Sequence, residues 1–485
     1  MSTYVFPGGL RLDPRKQASR PPLRCLPMPA RLLVPLLQHA GSPARACVAA
    51  GERVLAGKRI GEADGEDSAH VHAPASGQVL GIVTHDIGHP AGQPLPCVEL
   101  VPDGRQDWQR MPPLPAWRTS PPATLAARLR EAGVVGLGGA VFPTDRKLAP
   151  DGFPVHTLIV NGAECEPWIA CDDALMRARA DQVTAGSELL GHLLGASRIL
   201  LAVEDHMREA LEALTDAAAG TAIELVAVPT RYPQGGERQL VYTLTGIEVG
   251  AGTTPRQHGV ACVNVATAAA AWRAVVLGEP LVSRVVSVAG RGVAGPCSLE
   301  VPLGTLVADL VEAAGGYTPA AQRLVLGGPM MGQSLASDQV PVGKSGNCVL
   351  VLAADELRAR GPELPCIRCG ECARVCPARL LPQQLDAAIR AGDWVATSRL
   401  GLADCIECGL CAYVCPSQIP LVERFRFGKG ERAWQAQEAE RARRSRVLFE
   451  ARQARLVREQ AAREARLRAR EAALRDDDDA PAGRP

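Results

Sequence analysis

Two matched runs hold eight of the sixteen cysteines in this 485-residue chain. They are CIRCGECARVCP, residues 366–377, and CIECGLCAYVCP, residues 405–416, and both read C-x2-C-x2-C-x3-C-P. Cysteines at i, i+3 and i+6 let a short loop wrap one face of an iron–sulfur cube, while the fourth, followed by proline, points toward the other run. The pattern predicts that each run completes its neighbour's site. One cluster falls to Cys366, Cys369, Cys372 and Cys415, and the other to Cys376, Cys405, Cys408 and Cys411. Structural zinc is the competing chemistry, but it uses two C-x2-C pairs or Cys/His mixtures around one ion. It does not call for two four-cysteine runs, each closed by proline. Arg368 lies inside the first run, Glu407 inside the second with Asp404 just before it, and Arg374 near both. A cation stabilises the more negative reduced cluster, so the first cluster is expected at the higher potential.

Two clusters handle single electrons and need a source or sink. The loop GLGGAVFPTDRK, residues 136–147, is the candidate. Gly136, Gly138 and Gly139 let backbone N–H groups approach phosphate oxygens, and Lys147 can add charge. This is not the strand–turn–helix fingerprint of dinucleotide folds, because a helix is expected before it. VNGAECEPWIACDD, residues 160–173, places Asn161, Glu164 and Glu166 just beyond a strand's C-terminal end, where ligands of open α/β sheets bind. Carboxylates there can accept hydrogen bonds from ribose hydroxyls or an amide; the alternative is an ordinary capped turn. YPQGGERQL, residues 232–240, and Asn264 in VNVAT are further polar turn features.

These residues need elements to hold them. TLIVN (157–161), RILLAV (198–203) and AIELVAV (222–228) read as buried strands. Between them lie a helix capped by Asp172 or Asp173 and running to Leu194, and a second over residues 204–219, which implies a parallel sheet with right-handed crossovers. A helix over residues 123–133 precedes the glycine loop. Residues 41–100 carry short apolar runs broken by glycine and proline, a compact β pattern like the barrel-sandwich fold of biotinyl carriers, but with no lysine at the hairpin tip. His70 and His72 read there as surface polar residues rather than metal ligands. MPPLPAWRTSPP (111–122) reads as a linker. From Val285 two short strands and a helix ending in Gly-Gly suggest a β-grasp unit. Residues 431–475 form a charged helix, a solvated one or a docking arm, followed by an acidic end over residues 476–479.

Composition narrows the function classes. The net charge of +1 gives no pull toward nucleic acid, and 4% aromatics disfavours a stacking platform for single strands. No stretch reads as a membrane span, and the N-terminus has no signal-peptide pattern, so a cytoplasmic chain is expected. Cys25, Cys47, Cys97, Cys165, Cys171, Cys262, Cys297 and Cys348 are scattered without a pairing pattern, which argues against a disulfide framework.

Taken together, FPGGLRL, HAPASG, GLGGAVFPT, NGAECEP, YPQGGERQL, LGGPMMG, LLPQQL and both cysteine runs resemble the RnfC/RsxC family, the C component of ion-translocating oxidoreductase complexes of the Rnf/Rsx type. More distantly they resemble the flavin-carrying 51-kDa subunit of respiratory complex I. The resemblance implies a multidomain α+β chain. Its parts are a barrel-sandwich hybrid with linker (1–120), a Rossmann-like flavin/NADH domain (121–282), a β-grasp domain of the SLBB type (283–357), a two-cluster [4Fe-4S] ferredoxin-like domain (358–428) and a helical tail (429–485). It implies non-covalent FMN, NAD(H) as substrate and two [4Fe-4S] clusters. It implies partner membrane subunits, a ferredoxin or other iron–sulfur carrier, no nucleic acid, and a peripheral place on the cytoplasmic side of the inner membrane. It carries Gly136, Gly138, Gly139 and Lys147 to the flavin loop, and Asn161, Glu164, Glu166 and Asn264 to the flavin and nucleotide pocket. Two departures stand out: Val141 and Ala266 replace glycines of the family pattern. A connector protein whose nucleotide domain has lost its flavin is the second expectation, and Val141 is the residue on which the two differ.

Overall fold

The structure is a computed structural model that describes residues 3–89, 92–149, 152–357 and 361–478, with side chains through 472. Residue 358, where the cluster domain is expected to start, and Asp479 lie outside the described residues. The chain divides into two units, Met1–Gln383 with Asp404–Val422, and Gln384–Ala403 with Glu423–Pro485.

The first unit is built on three β modules. At its centre is a four-stranded, fully parallel sheet. In spatial order its strands are Ile223–Val228, Arg198–Glu204, Thr157–Gly162 and Val260–Asn264. Three of its strands are apolar runs buried on both faces, as parallel sheets favour, while the edge strand Ile223–Val228 exposes Glu224 and Ala227. The Val260 strand is absent from the expected set, because VACVN is short and abuts an alanine-rich helical run. Helix Ala180–Leu194 packs on helix Val265–Trp272 so closely that a Cβ at Gly186 would meet the Ala268 carbonyl oxygen at 2.0 Å.

The single helix expected to run from the aspartate pair to Leu194 is two helices, Cys171–Ala178 and Ala180–Leu194, broken at Arg179. Neither Asp172 nor Asp173 caps the first. Both lie in its first turn, and the N-terminal N–H groups are met instead by a carboxylate from the preceding loop. The expected helix over 204–219 starts only at Arg208, because the strand continues through Glu204.

The N-terminal module is a sandwich of two antiparallel sheets. One joins Leu32–Pro35, Leu95–Pro102, Gly77–His85 and Arg53–Val54; the other joins Arg45–Ala46, Arg59–Glu62 and Val71–His72. Leu32, Val34, Val54, Ile60, Val71 and Val98 fill the space between. His70 and His72 are not surface residues. Both are buried, and His70 Nδ1 accepts the Ala63 N–H at 3.0 Å. Residues before Leu32 leave this sandwich and run across the rest of the unit: Tyr4 N bonds Thr243 O, Leu10 pairs with Tyr232, and Arg24–Cys25 adds an edge strand to the β-grasp sheet. The proline-rich segment is not a free linker either. Trp117 is buried, and Met111 and Leu114 donate backbone hydrogen bonds to Gly278 and Val275.

The β-grasp sheet has six strands, in the order Arg24–Cys25, Cys297–Pro302, Ser283–Ala289, Cys348–Ala353, Ala321–Leu326 and Gln333–Leu335. Helix Val307–Ala313 packs its Val307, Leu310 and Val311 side chains on it.

In the second unit, helix Leu421–Asp478 starts ten residues before the position expected from composition. Its first turns are held by burial: Gly428 lies against Ile389 and Leu402, and Asp386 receives Arg424 at 2.7 Å. Past Glu431 its described side chains are mostly exposed and carry short-range pairs such as Arg443–Glu440, the solvated-helix pattern. Among the described residues no helix is long and apolar enough to cross a membrane.

Candidate functional site

The C-terminal ends of the Thr157 and Val260 strands meet the glycine loop. Helix Pro122–Glu131 feeds that loop, which closes on itself: Gly136 N bonds Phe142 O at 2.9 Å, and Val141 N bonds Gly136 O at 3.1 Å. Leu137 N bonds the Thr267 hydroxyl at 2.8 Å, pinning the loop to the start of the Val265 helix. Between these anchors the N–H groups of Gly138, Gly139 and Ala140 have no acceptor among the described residues, and all three residues are exposed. Gly139 has φ 110°, which only glycine adopts readily. Three successive free N–H groups in a closed turn form the kind of concavity that binds phosphate oxygens.

Val141 has φ 43° and is only partly buried. Its side chain packs against a small cluster made by Ala69, Val135, Leu137 and Leu281, on which Ala266 also rests. The cost of valine here is therefore one of backbone conformation, of order 1–2 kcal/mol for an L-residue in the left-handed region. Both departures from the family pattern lie on this one cluster.

The predicted polar residues are drawn together at the strand ends, mostly onto protein partners. Asn264 caps the Val265 helix: its Oδ1 accepts the Ala266 N–H at 2.9 Å, and its Nδ2 donates to Asp172 Oδ2 at 2.6 Å. Gly138 lies against it, since a Cβ there would be 3.2 Å from the Asn264 Cβ. Asn161 folds its own turn through Ala163 N and donates to Gly235 O, both at 2.9 Å.

Glu164 is the missing helix cap. Its Oε1 accepts the Asp172 N–H at 2.9 Å and the Cys171 thiol at 3.2 Å. Lys16, about 150 residues upstream, lies 3.7 Å from its other oxygen and donates to the Glu164 and Glu166 carbonyls. Burial raises the Glu164 carboxyl despite Lys16, and burial followed by Glu164 pushes Asp172 up to about 7. Glu166 turns away from the loop. Its Oε1 accepts the N–H groups of Met330 and Met331, each at 2.9 Å, and so clasps the LGGPMMG turn of the β-grasp domain. Lys147 pairs with Glu237 at 2.6 Å; burial lowers its ammonium, and Glu237 more than restores it.

Lys16, Thr267 and Glu237 are site residues that the sequence does not single out, and Asp172 reads there only as a helix cap. Lys16 carries no signal at all, since only the threaded N-terminal segment brings it there. A cavity of about 40 Å³ adjoins the Val141 cluster, lined by Leu137, Ala266, Leu281 and Arg273, and another of about 450 Å³ lies at the opposite, N-terminal edge of the sheet.

The two cysteine runs lie together in the same unit. Burial, aided by the charges of Cys376 and Cys405 and opposed by the Leu410 N–H, holds the Cys408 thiol up at about 12. Cys411 is raised by burial and then by Cys408, Cys405 and Cys376, so Cys376 sits with the three cysteines of the other run. Cys372 in turn feels Cys369 and Cys415. These neighbours follow the crossed grouping rather than the order along the chain. None of the sixteen cysteines forms a disulfide.

The set around Cys408 and Cys411 is enclosed. Tyr232 donates its hydroxyl to the Cys408 carbonyl at 2.7 Å, and Tyr232, Val375, Cys408 and Leu410 share a core with Met330 and Cys165. Cys165 also accepts the Gly235 N–H at 3.2 Å. The enclosed set thus packs directly against the turns that border the sheet edge. In the other set Cys366 and Cys369 are exposed.

A turn of free N–H groups at a parallel sheet whose neighbouring turns pack on a paired cysteine motif fits a flavin- and iron–sulfur-binding electron-transfer protein. Family comparisons agree. Residues 4–105 match the RnfC barrel sandwich hybrid domain, 129–273 the Nuo51 FMN-binding domain, 285–334 the SLBB domain and 365–419 a 4Fe-4S dicluster domain. The C component of the ion-translocating oxidoreductase complex of Pseudomonas aeruginosa is 46% identical over 95% of this chain and 60% of its own length. That of Rhodobacter capsulatus is 41% identical over 89% of this chain and 84% of its own. The chain belongs to this RnfC family of ion-translocating oxidoreductase components, with FMN and [4Fe-4S] clusters as its cofactors. It spans about 60% of the length of the Pseudomonas relative. A crystal structure of an NAD⁺-reducing [NiFe]-hydrogenase in the H2-reduced state superposes with a TM-score of 0.47 and 20% identity, covering 65% of this chain and 63% of that one.

Proposed function

We propose that the chain passes electrons between NAD(H), FMN and two [4Fe-4S] clusters, as a peripheral subunit on the cytoplasmic side of the inner membrane. Partner membrane proteins couple that flow to ion movement, and a ferredoxin or other iron–sulfur carrier is the remaining redox partner. FMN, when bound, takes a two-electron hydride and releases single electrons to the clusters. The chain's own residues position and insulate. The N–H groups of Gly138, Gly139 and Ala140 receive the flavin phosphate. Asn161, Asn264 and Glu164 hold the strand ends rigid. Lys147 and Glu237 close one side, and Glu166 locks the Met330 turn. Cys366, Cys369, Cys372 and Cys415 hold one cluster, and Cys376, Cys405, Cys408 and Cys411 the other. No acid–base group is required for hydride transfer.

The observation that carries this reading is the packing of the enclosed cysteine set, through Tyr232 and Cys165, onto the turns at the sheet edge. The alternative, a connector that has lost its flavin, is favoured only by the strained Val141. The test is anaerobic purification with iron, sulfide and FMN quantified, followed by NADH. Bound FMN and bleaching of the cluster absorbance support the first reading. Eight irons without flavin, and no response to NADH, support the second.

A further inference from the structure

The two cysteine runs share a backbone but not an environment. Each places one non-glycine residue in the left-handed region between its first two cysteines: Arg368 and Glu407, both at φ 56°. Gly370 and Gly409 follow, each opening a one-turn helix, Glu371–Arg374 and Leu410–Tyr413. Arg379 and Gln418 then repeat the left-handed turn at 52° and 53°. With the backbone duplicated, the corner side chains are where the halves differ in sign. Arg368 is exposed beside exposed Cys366 and Cys369, and has no ion pair among the described residues. Glu407 is half-buried, between Cys405 and buried Cys408. Its neighbour Asp404 is held in an ion pair with Arg238 at 3.0 Å.

We propose that the corner pair Arg368 and Glu407 sets the two cluster sites at different potentials, the open set around Cys366 being the more oxidising and the enclosed set around Cys408 the more reducing. This rests on the two-cluster reading above. Reduction adds one negative charge to a cluster. A cation at the corner and contact with water both favour that charge in the open set, while an anion and burial oppose it in the enclosed one. One effect runs the other way. The N–H groups of Leu380 and Glu407 point at the sulfurs of Cys376 and Cys405, at 3.3 and 3.4 Å. These are long contacts from neutral donors, each weaker than a full charge at similar range. A unit charge about 7 Å from a cluster, at an effective dielectric of about 40, changes the reduced-to-oxidised ratio roughly sevenfold, so reversing its sign exceeds tenfold. The low-potential site is then the one packed against the sheet edge, and the high-potential site the one open to a partner.

The test is an EPR-monitored redox titration of the full chain, with iron counted in each variant. Arg368→Glu is expected to lower the higher midpoint by about a tenfold change in ratio or more, which is ~59 mV for one electron. Arg368→Lys is expected to leave it in place, and Glu407→Gln to raise the lower midpoint. If two clusters are present in every variant and the higher midpoint of Arg368→Glu stays within about a factor of two of wild type, the inference is overturned and the two-cluster reading stands. If wild type holds iron for only one cluster, the two-cluster reading itself fails.

Discussion

Val141 allows a direct test of whether the flavin loop carries backbone strain. At φ 43° a β-branched residue costs about 1–2 kcal/mol, and glycine removes that cost. Against the gain stand the lost contacts of a half-buried valine, about 1 kcal/mol, and the greater freedom of glycine in the unfolded chain, about 0.5–1 kcal/mol. The sum for Val141→Gly is close to zero. Alanine keeps a Cβ, hence much of the left-handed cost, and gives up about the same burial, so Val141→Ala is expected about 1 kcal/mol below wild type. The usual order, in which alanine is more stable than glycine, is reversed at this position. In a domain of about 150–250 residues 1 kcal/mol is worth about 2–4 °C, which thermal unfolding of the flavin-free chain resolves. Because the side chain packs into the Leu281 cluster and not toward the free N–H groups, the FMN dissociation constant of Val141→Gly, read by flavin fluorescence quenching, is expected within about threefold of wild type. An alanine variant at least as stable as the glycine variant would falsify the strain argument.

Three further outcomes follow from the geometry. Cys376→Ser, although in the first run, is expected to damage the enclosed cluster of the second, and Cys415→Ser the open one. EPR of each variant, with iron analysis, decides which signal survives, and loss of the cluster belonging to the mutated run refutes the crossed assignment. Glu204 is fully buried at the end of its strand with neither oxygen hydrogen-bonded and His206 Nδ1 3.7 Å from one of them, and burial raises it to about 8. A carboxyl raised on folding contributes stability that is present below pH ~4.5 and lost as pH climbs toward ~8. Glu204→Gln is therefore expected to flatten the fall of Tm between about pH 5 and 8, and an unchanged slope counts against it. Glu166→Ala removes the acceptor of the Met330 and Met331 N–H groups, at about 1–3 kcal/mol at most for the part-buried Met330 and less for exposed Met331, which water reaches. Hydrogen exchange at those two amides is expected to accelerate while iron content is retained; unchanged exchange would show the clasp to be incidental.

Local and stoichiometric features are written in the residues themselves. Cysteine spacing points to crossed cluster sets, because ligand geometry around a cube is short-range and the run is repeated a single time. Continuous apolar runs mark three of the four central strands, because burial on both faces leaves an unbroken signal. The free N–H turn within residues 136–147 is legible too, since glycine is needed where backbone must face a ligand. Which side chains are committed to holding the site together emerges only on folding. Glu164 and Glu166 read as ligand carboxylates but act as a helix cap and a turn clasp, and the donors that commit them lie eight and about 165 residues away. Lys16 enters from a threaded N-terminal segment, a contact with no local trace. His70 and His72, read as surface residues, are buried by a neighbouring domain. Likewise, the opposite charges at Arg368 and Glu407 are plain in the sequence, but the difference between an open and an enclosed cysteine set is not. Solvent access is a property of what packs against a loop, and Tyr232, Met330 and Cys165 reach the second run only once the chain has folded.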